Sequence, residues 1–378
     1  MGLLRLLLAV SVVLVHTGGC FGFRPLEAAA AVQTFYMISG FYMAMILTEK
    51  YRGPGSYRLF LSNRFLRIYP VYWITVCLSI LAWSVCYALT GQAGPLAARV
   101  SVGLPGCAVL GVSNALIFGQ DAILFTGVNA HGQLFFTSDC WSSTPQVSEF
   151  LLVPQAWSLG VELMFYLCAP WLVRRSPRVI VAAIVASLAL RAYIYFHLGW
   201  AHDPWTYRFF PTELAFFLAG ALAYKLYCRV RARHVARGVL LPGLALFFAA
   251  CLLYQFVPAW GASGVVIRQW IFYVLAWGAI PWLFAASKDS RLDRCLGELS
   301  YPLYIVHFLA VWFLPPLMLR LGIAQAAPLA VLAASLGLSL ALVHFVSNPL
   351  EGVRQDLVAR PILGPARAGS VAESMSVA

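Results

Sequence analysis

Charge is what this chain has least of. Asp, Glu, Lys and Arg make up 11% of its 378 residues, against about 25% in a soluble domain. So few charges cannot cover the surface of a chain this long in water, which excludes an ordinary soluble fold. The sequence also lacks a polar stretch long enough for a separate soluble domain, an internal repeat of roughly 20–50 residues and any low-complexity tract. Its nine cysteines contain no CxxC and no metal-ligand spacing, so no metal site and no resident cofactor are expected. Most lie in apolar runs, where a thiol behaves as a small hydrophobe. The net charge is +12, yet no polar segment interleaves basic and aromatic residues, so nucleic acid is not an expected partner.

What the chain has is long apolar runs of roughly 18 to 23 residues, the length that crosses about 30 Å of hydrocarbon. They predict an all-α, polytopic membrane bundle of about ten spans, near 3–18, 28–48, 67–90, 150–172, 178–198, 209–228, 238–257, 265–287, 299–320 and 326–347. With the N-terminus inside, 20 of the 26 Lys and Arg fall on cytoplasmic segments and helix ends, and six on the outer side. Basic residues concentrate in cytoplasmic loops of membrane proteins, so both termini are expected in the cytoplasm. Residues 91–149 interrupt the alternation. The apolar part, Val100 to Phe118, is broken by Gly103, Pro105, Gly106 and Gly111. It is expected to be re-entrant or surface-lying, because a full span there would invert every later loop and destroy the charge bias. The rest, Gly119 to Glu149, is a polar and aromatic outer cap; Cys107 and Cys140 both fall in the connection 91–149, and whether they pair is left open. One transmembrane domain is expected over residues 1–350, followed by an unordered cytoplasmic tail over 351–378. The first run has the greasiness of a signal peptide, and Cys20 follows Thr17-Gly18-Gly19 in a faintly lipoprotein-like way. A retained helix is preferred, because cleavage would remove Arg5 and His16.

Ionisable residues within spans cost about 2.5–3.5 kcal/mol each on insertion scales, so each is a candidate for function. The informative set is Arg5, His16, Glu162, Glu213 and His307. Arg5 and His16 are eleven positions apart, roughly 20° from a whole number of turns. They share one helix face about 16 Å apart. Arg64 and Arg67 are adjacent on the third helix, a spacing that suits a phosphate or pyrophosphate gripped by two guanidiniums; positive-inside anchoring is the competing reading. Glu162 stands deep in its span and needs a partner from another helix, with Arg5 and His16 as candidates. Gly40 and Gly220 suit close helix packing.

In chain order these segments resemble the acyltransferase 3 family of membrane O-acyltransferases. The resemblance rests on Arg5 and His16 with ten residues between them, Phe35 to Ser39-Gly40-Phe41, Arg64-x-x-Arg67-Ile68-x-Pro70, Trp157-Ser158-Leu159-x-x-Glu162-x-x-Phe165-Tyr166, and Ser300-Tyr301-x-x-Tyr304-x-x-His307. It covers Arg5 to about Glu351. The chain departs from many relatives at Leu163, where they have a second acid, and at Ser347 of Ser347-Asn348-Pro349, where they have the Glu of a Glu-x-Pro. The resemblance implies transfer of an acyl group, expected to be acetyl, from acyl-CoA as donor substrate to a hydroxyl of a cell-surface or exported glycan or glycolipid, at a bacterial inner membrane. On this reading His16, Arg5 and Glu162 are catalytic, with His16 acting as base or acyl carrier. Arg64, Arg67 and Ser39 bind acyl-CoA. Trp157, Tyr166, Glu213, Tyr301, Tyr304 and His307 support the site, and the outer loop with Asp121, His131 and Trp141 selects the acceptor. A secondary transporter or flippase of a glycolipid or polysaccharide precursor is the alternative from another class, and a non-catalytic partner of a secretion complex a third.

Overall fold

Glycine stands at both ends of the helix Ser56–Thr90, while prolines such as Pro70 and Pro302 lie inside helices. The computed structural model describes residues 1–231, 237–259 and 261–359. It opens with α1 (Gly2–His16), α2 (Ala28–Glu49) and α3 (Ser56–Thr90). The long connection that follows carries α4 (Leu104–Leu116) and an antiparallel hairpin, β1 (Thr126–Val128) with β2 (Leu134–Phe136), in the register Val128 to Leu134. Then come α5 (Trp157–Leu172), α6 (Pro177–Phe196), α7 (Phe210–Val230), α8 (Arg237–Leu253), α9 (Gly261–Ser287), α10 (Arg291–Arg320), α11 (Ala327–Leu342) and α12 (Asn348–Ala359). A π-helical turn, Val343–Ser347, joins the last two.

Each of the ten expected spans coincides with a helix, from α1 to α3 and from α5 to α11. Among the described residues, six stretches are long and apolar enough to cross a membrane by length and composition alone: Ala28–Glu49, Ser56–Thr90, Pro177–Phe196, Gly264–Ser287, Arg291–Arg320 and Ala324–Leu357. Helices α1, α5 and α8 have 15, 16 and 17 residues, short of the roughly 20 that span hydrocarbon. Helix α7 carries Glu213, Lys225 and Arg229. The chain remains helical to Ala359, beyond Arg354, where the polar composition predicts irregular structure. Residues 360–378 of the expected tail lie outside the described residues.

Close contact between α2 and α7 anchors the bundle. A Cβ on Gly40 would lie 1.8 Å from the Phe217 carbonyl oxygen, and one on Gly220 1.9 Å from that of Met37. Only hydrogen fits at either position, so the two backbones touch. Around this crossing the rings of Tyr36, Phe217 and Phe165 stack in series, with centroids 4.5 and 4.3 Å apart.

The broken segment after α3 forms α4, 13 residues long and far too short to span. Its last carbonyls have no partner within the helix and are met by aromatic donors of α3. Tyr72 Oη donates to the Asn114 carbonyl at 2.5 Å, Trp73 Nε1 to that of Ala115 at 2.8 Å and Tyr69 Oη to that of Leu116 at 2.5 Å. Cys107 and Cys140 are both free thiols.

Candidate active site

At the start of α10, Ser290 caps the helix by accepting from the Asp293 amide at 3.2 Å. The Asp293 carboxylate turns instead to α1. It accepts from the Met1 ammonium at 2.6 Å, the Gly2 amide at 2.7 Å and the Leu3 amide at 2.9 Å. These are amides that the first turn of a helix leaves unpaired, and a carboxylate there also complements the helix dipole. Gly2 allows the approach, since a Cβ there would sit 1.5 Å from the Asp293 carbonyl oxygen. The contact fixes Arg5 one turn in, facing a cavity.

That cavity has a volume of about 480 Å³ and lies between α1, α2, α3, α5, α9, α10 and α12. Along α2 its wall runs from Ile46 to Val32, about 21 Å of helix. Lys288, Arg294 and Arg354 stand around its mouth. Arg5, Arg64 and Arg67 line it together. Among the described residues none of these three forms a salt bridge with a carboxylate. Arg64 is 8% exposed. It donates from Nη2 to Asn63 Oδ1 at 3.1 Å and leaves a buried Nε without a partner. Three guanidiniums lining one cavity, none of them salt-bridged among the described residues, make a candidate anion site, with Glu162 the carboxylate deeper in the same cavity.

Deeper in the cavity Glu162 Oε1 accepts from Ser39 Oγ at 2.5 Å and from Tyr166 Oη at 2.6 Å. These are its hydrogen-bond partners, in place of the Arg5 or His16 that sequence spacing suggests. Sequence order cannot show that Ser39, on α2, stands opposite it. Tyr301 and Tyr304 complete the wall. Tyr301 Oη donates to the Ile68 carbonyl at 2.6 Å, and the Tyr304 hydroxyl lies 2.7 Å from Ser158 Oγ.

His16 and His307 do not line this cavity. They form a pair beyond Tyr304, whose ring centroid is 6.0 Å from that of His307. His307 is fully buried, while His16 is exposed. His16 Nδ1 lies 2.9 Å from the Val12 carbonyl and 3.3 Å from His307 Nε2; His307 Nδ1 lies 2.8 Å from the Tyr304 carbonyl. A carbonyl only accepts, so both Nδ1 atoms carry protons. In the neutral pair this leaves His16 Nε2 with a free lone pair. Among the described residues that nitrogen makes no hydrogen bond.

Two expected supporting residues lie elsewhere. Glu213 is fully buried between α2, α6 and α7, 3.4 Å from Arg191 and accepting from Gln33 Nε2 at 2.9 Å. Arg191 also lies over the rings of Phe216 and Trp270. This compensated pair holds helices together away from the cavity. Trp157 packs under Arg208, whose guanidinium lies 4.2 Å from its ring and binds Asp203 at 2.5 and 2.8 Å. Of the outer-loop candidates, His131 is exposed, Trp141 lies 5.6 Å from Arg208, and Asp121 is buried against Gly160. Sequence reasoning missed Arg354, which reads as tail. It binds Glu351 and donates to Asn63 Oδ1 at 3.1 Å, so α12 closes one side of the mouth. Ser158 was legible only as a motif position.

A family model described as an acyltransferase domain matches residues 1–345. The chain is similar to an uncharacterized protein of Aquifex aeolicus (strain VF5), 26% identical over 210 residues, covering 54% of this chain and 90% of that one. It is also similar to protein 2 in the picA locus of Rhizobium radiobacter, 30% identical over 135 residues, covering 35% of this chain and 69% of that one. No solved structure matches.

Proposed function

The chain belongs to the acyltransferase 3 family, and from that membership we propose that it moves an acyl group from acyl-CoA to a hydroxyl of a cell-surface or exported glycan or glycolipid at a bacterial inner membrane. The observation that carries this reading is the convergence of Arg5, Arg64 and Arg67 on a deep cavity, none of them salt-bridged among the described residues. A donor with a phosphorylated head and a long thin arm matches that shape. Its phosphates meet the guanidiniums, and its arm follows α2 past Ser39 and Glu162 towards Tyr304. The acceptor hydroxyl meets His16. Nε2 takes its proton as the oxygen attacks the thioester carbonyl, and the CoA thiolate leaves. The Nδ1 proton, shared between Val12 and His307, then lies on an imidazolium whose charge the Val12 carbonyl stabilises. Phe35 and Tyr304, with ring centroids 6.2 Å apart, stand at the inner end of the route.

The test is purified protein in nanodiscs with labelled acetyl-CoA and acceptor glycan from cells lacking the gene. His16→Ala should lower kcat by at least roughly 100-fold, the usual contribution of a general base. Transfer at the normal rate by this variant removes His16 from the mechanism. Wild-type protein that neither binds nor consumes acetyl-CoA favours a transporter instead.

A further inference from the structure

The mouth of the central cavity holds an arginine pair built around Asn63, a buried side chain of α3. Asn63 Oδ1 accepts from Arg64 Nη2 and from Arg354 Nη2, each at 3.1 Å. Its Nδ2 donates to the Arg354 carbonyl at 3.2 Å, so both ends of one amide tie α3 to α12. The two guanidiniums, distant in sequence, therefore share a single neutral acceptor. Each also has a buried Nε without a partner among the described residues, and both residues line the cavity. A buried donor left unpaired is costly, and two cations on one amide oxygen repel each other. Glu351, one turn back on α12, binds Arg354 and offsets part of this charge. Its side chain is 45% exposed, against 12% for that of Arg354. The fully charged neighbours that act on Arg354 are Arg67, Glu351 and Arg64. Together with Arg354, these are three guanidiniums and one carboxylate, which leaves two positive charges over. Burial first, and then Arg67, hold the Arg354 guanidinium down at about 10, below its ordinary 12.5.

We propose that Arg354 and Arg64, bridged by Asn63, form a subsite for a phosphomonoester, the ribose 3′-phosphate of the donor. The inference rests on the donor reading of the central cavity. Three features select that phosphate over the diphosphate. The first is position. Asn63 lies about one turn nearer the start of α3 than Arg67, and the ribose end of a donor rests outermost when its arm points towards Tyr304. The second is charge. A phosphomonoester carries about −1.5 to −2, which matches the two positive charges left over around Arg354, whereas each phosphate of the diphosphate carries one. The third is the supply of donors. Two guanidiniums with unpartnered Nε–H groups suit a group with three terminal oxygens. Helix α12 begins at Asn348, beyond the matched residues 1–345, so donor recognition extends past the matched domain.

The experiment is competition binding on full-length protein, with labelled acetyl-CoA displaced by CoA or by 3′-dephospho-CoA. Nanodiscs of phosphatidylcholine are used, since that lipid offers no phosphomonoester. A charge-assisted contact to phosphate is worth roughly tenfold or more in affinity, so the wild type should bind CoA at least roughly tenfold tighter than 3′-dephospho-CoA. Arg354→Gln and, independently, Asn63→Ala should bring that ratio towards one by weakening CoA alone. An unchanged affinity for 3′-dephospho-CoA reports that the variant is folded. Equal affinity of the wild type for the two compounds overturns the proposal, as does a preference for CoA that survives both substitutions. A loss shared equally by both compounds in folded Arg354→Gln assigns Arg354 to the diphosphate and also overturns it. Failure of every CoA compound to bind the wild type overturns the donor reading itself, and this one with it.

Discussion

Arg64 and Arg67 are three residues apart, which predicts adjacency but not purpose; anchoring at the inner face accounts for the spacing equally well. What separates the readings is Arg64, 8% exposed and, among the described residues, in no salt bridge with a carboxylate. An anchoring arginine extends to water. Each charge-assisted contact with a phosphate is worth about 1.5–3 kcal/mol, so Arg64→Ala and Arg67→Ala should each raise KM for acetyl-CoA by roughly 10- to 100-fold with a smaller change in kcat. Steady-state kinetics with the donor varied reads this, and an unchanged KM removes the clamp. Asp121, on the outer loop, has a different signature. Burial beside Gly160 raises its carboxyl from the ordinary 3.8 to about 6. A folded-state pKa above the unfolded one means the native protein holds the proton longer. The contribution is present below pH 4 and lost as pH rises through 6, on the order of 2–3 kcal/mol. Asp121→Asn should therefore raise Tm at pH 7 and leave it nearly unchanged at pH 4; parallel pH profiles for variant and wild type would contradict this.

At the scale of elements, two devices set the site. One is the α2–α7 crossing through Gly40 and Gly220. Gly220→Val would drive a branched side chain into the Met37 carbonyl, forcing apart the helix that carries Ser39 and its neighbour. Overpacking of this kind costs about 3 kcal/mol or more, and the variant should melt well below wild type or fail to yield a monodisperse peak in detergent. A normal melting curve would show that the crossing has slack. The other device is the Asp293 carboxylate at the head of α1, which fixes Arg5. The small-residue character of Gly40 and Gly220 was readable from the chain. The cap was not, because Asp293 and Gly2 are nearly the whole sequence apart and Asp293 reads locally as an ordinary first-turn acid.

For the whole molecule, we propose from the distribution of Lys and Arg that both termini lie in the cytoplasm. In a cysteine-free background, H131C should react with a membrane-impermeant maleimide in intact cells and D289C only after permeabilisation; the reverse pattern sinks the topology. The presence of a helical bundle, its approximate spans and the candidate set Arg5, His16, Arg64, Arg67 and Glu162 follow from the sequence alone. Hydrocarbon leaves the backbone no alternative to helices and makes every embedded charge conspicuous. Only the tertiary structure decides the pairings: Glu162 with Ser39 and Tyr166, His16 with His307, Glu213 with Arg191 away from the cavity, and Arg354 at the mouth. The reason is geometric. Periodicity gives the face on which a residue lies along its own helix, whereas a partner on another helix depends on crossing positions that several distant contacts fix together.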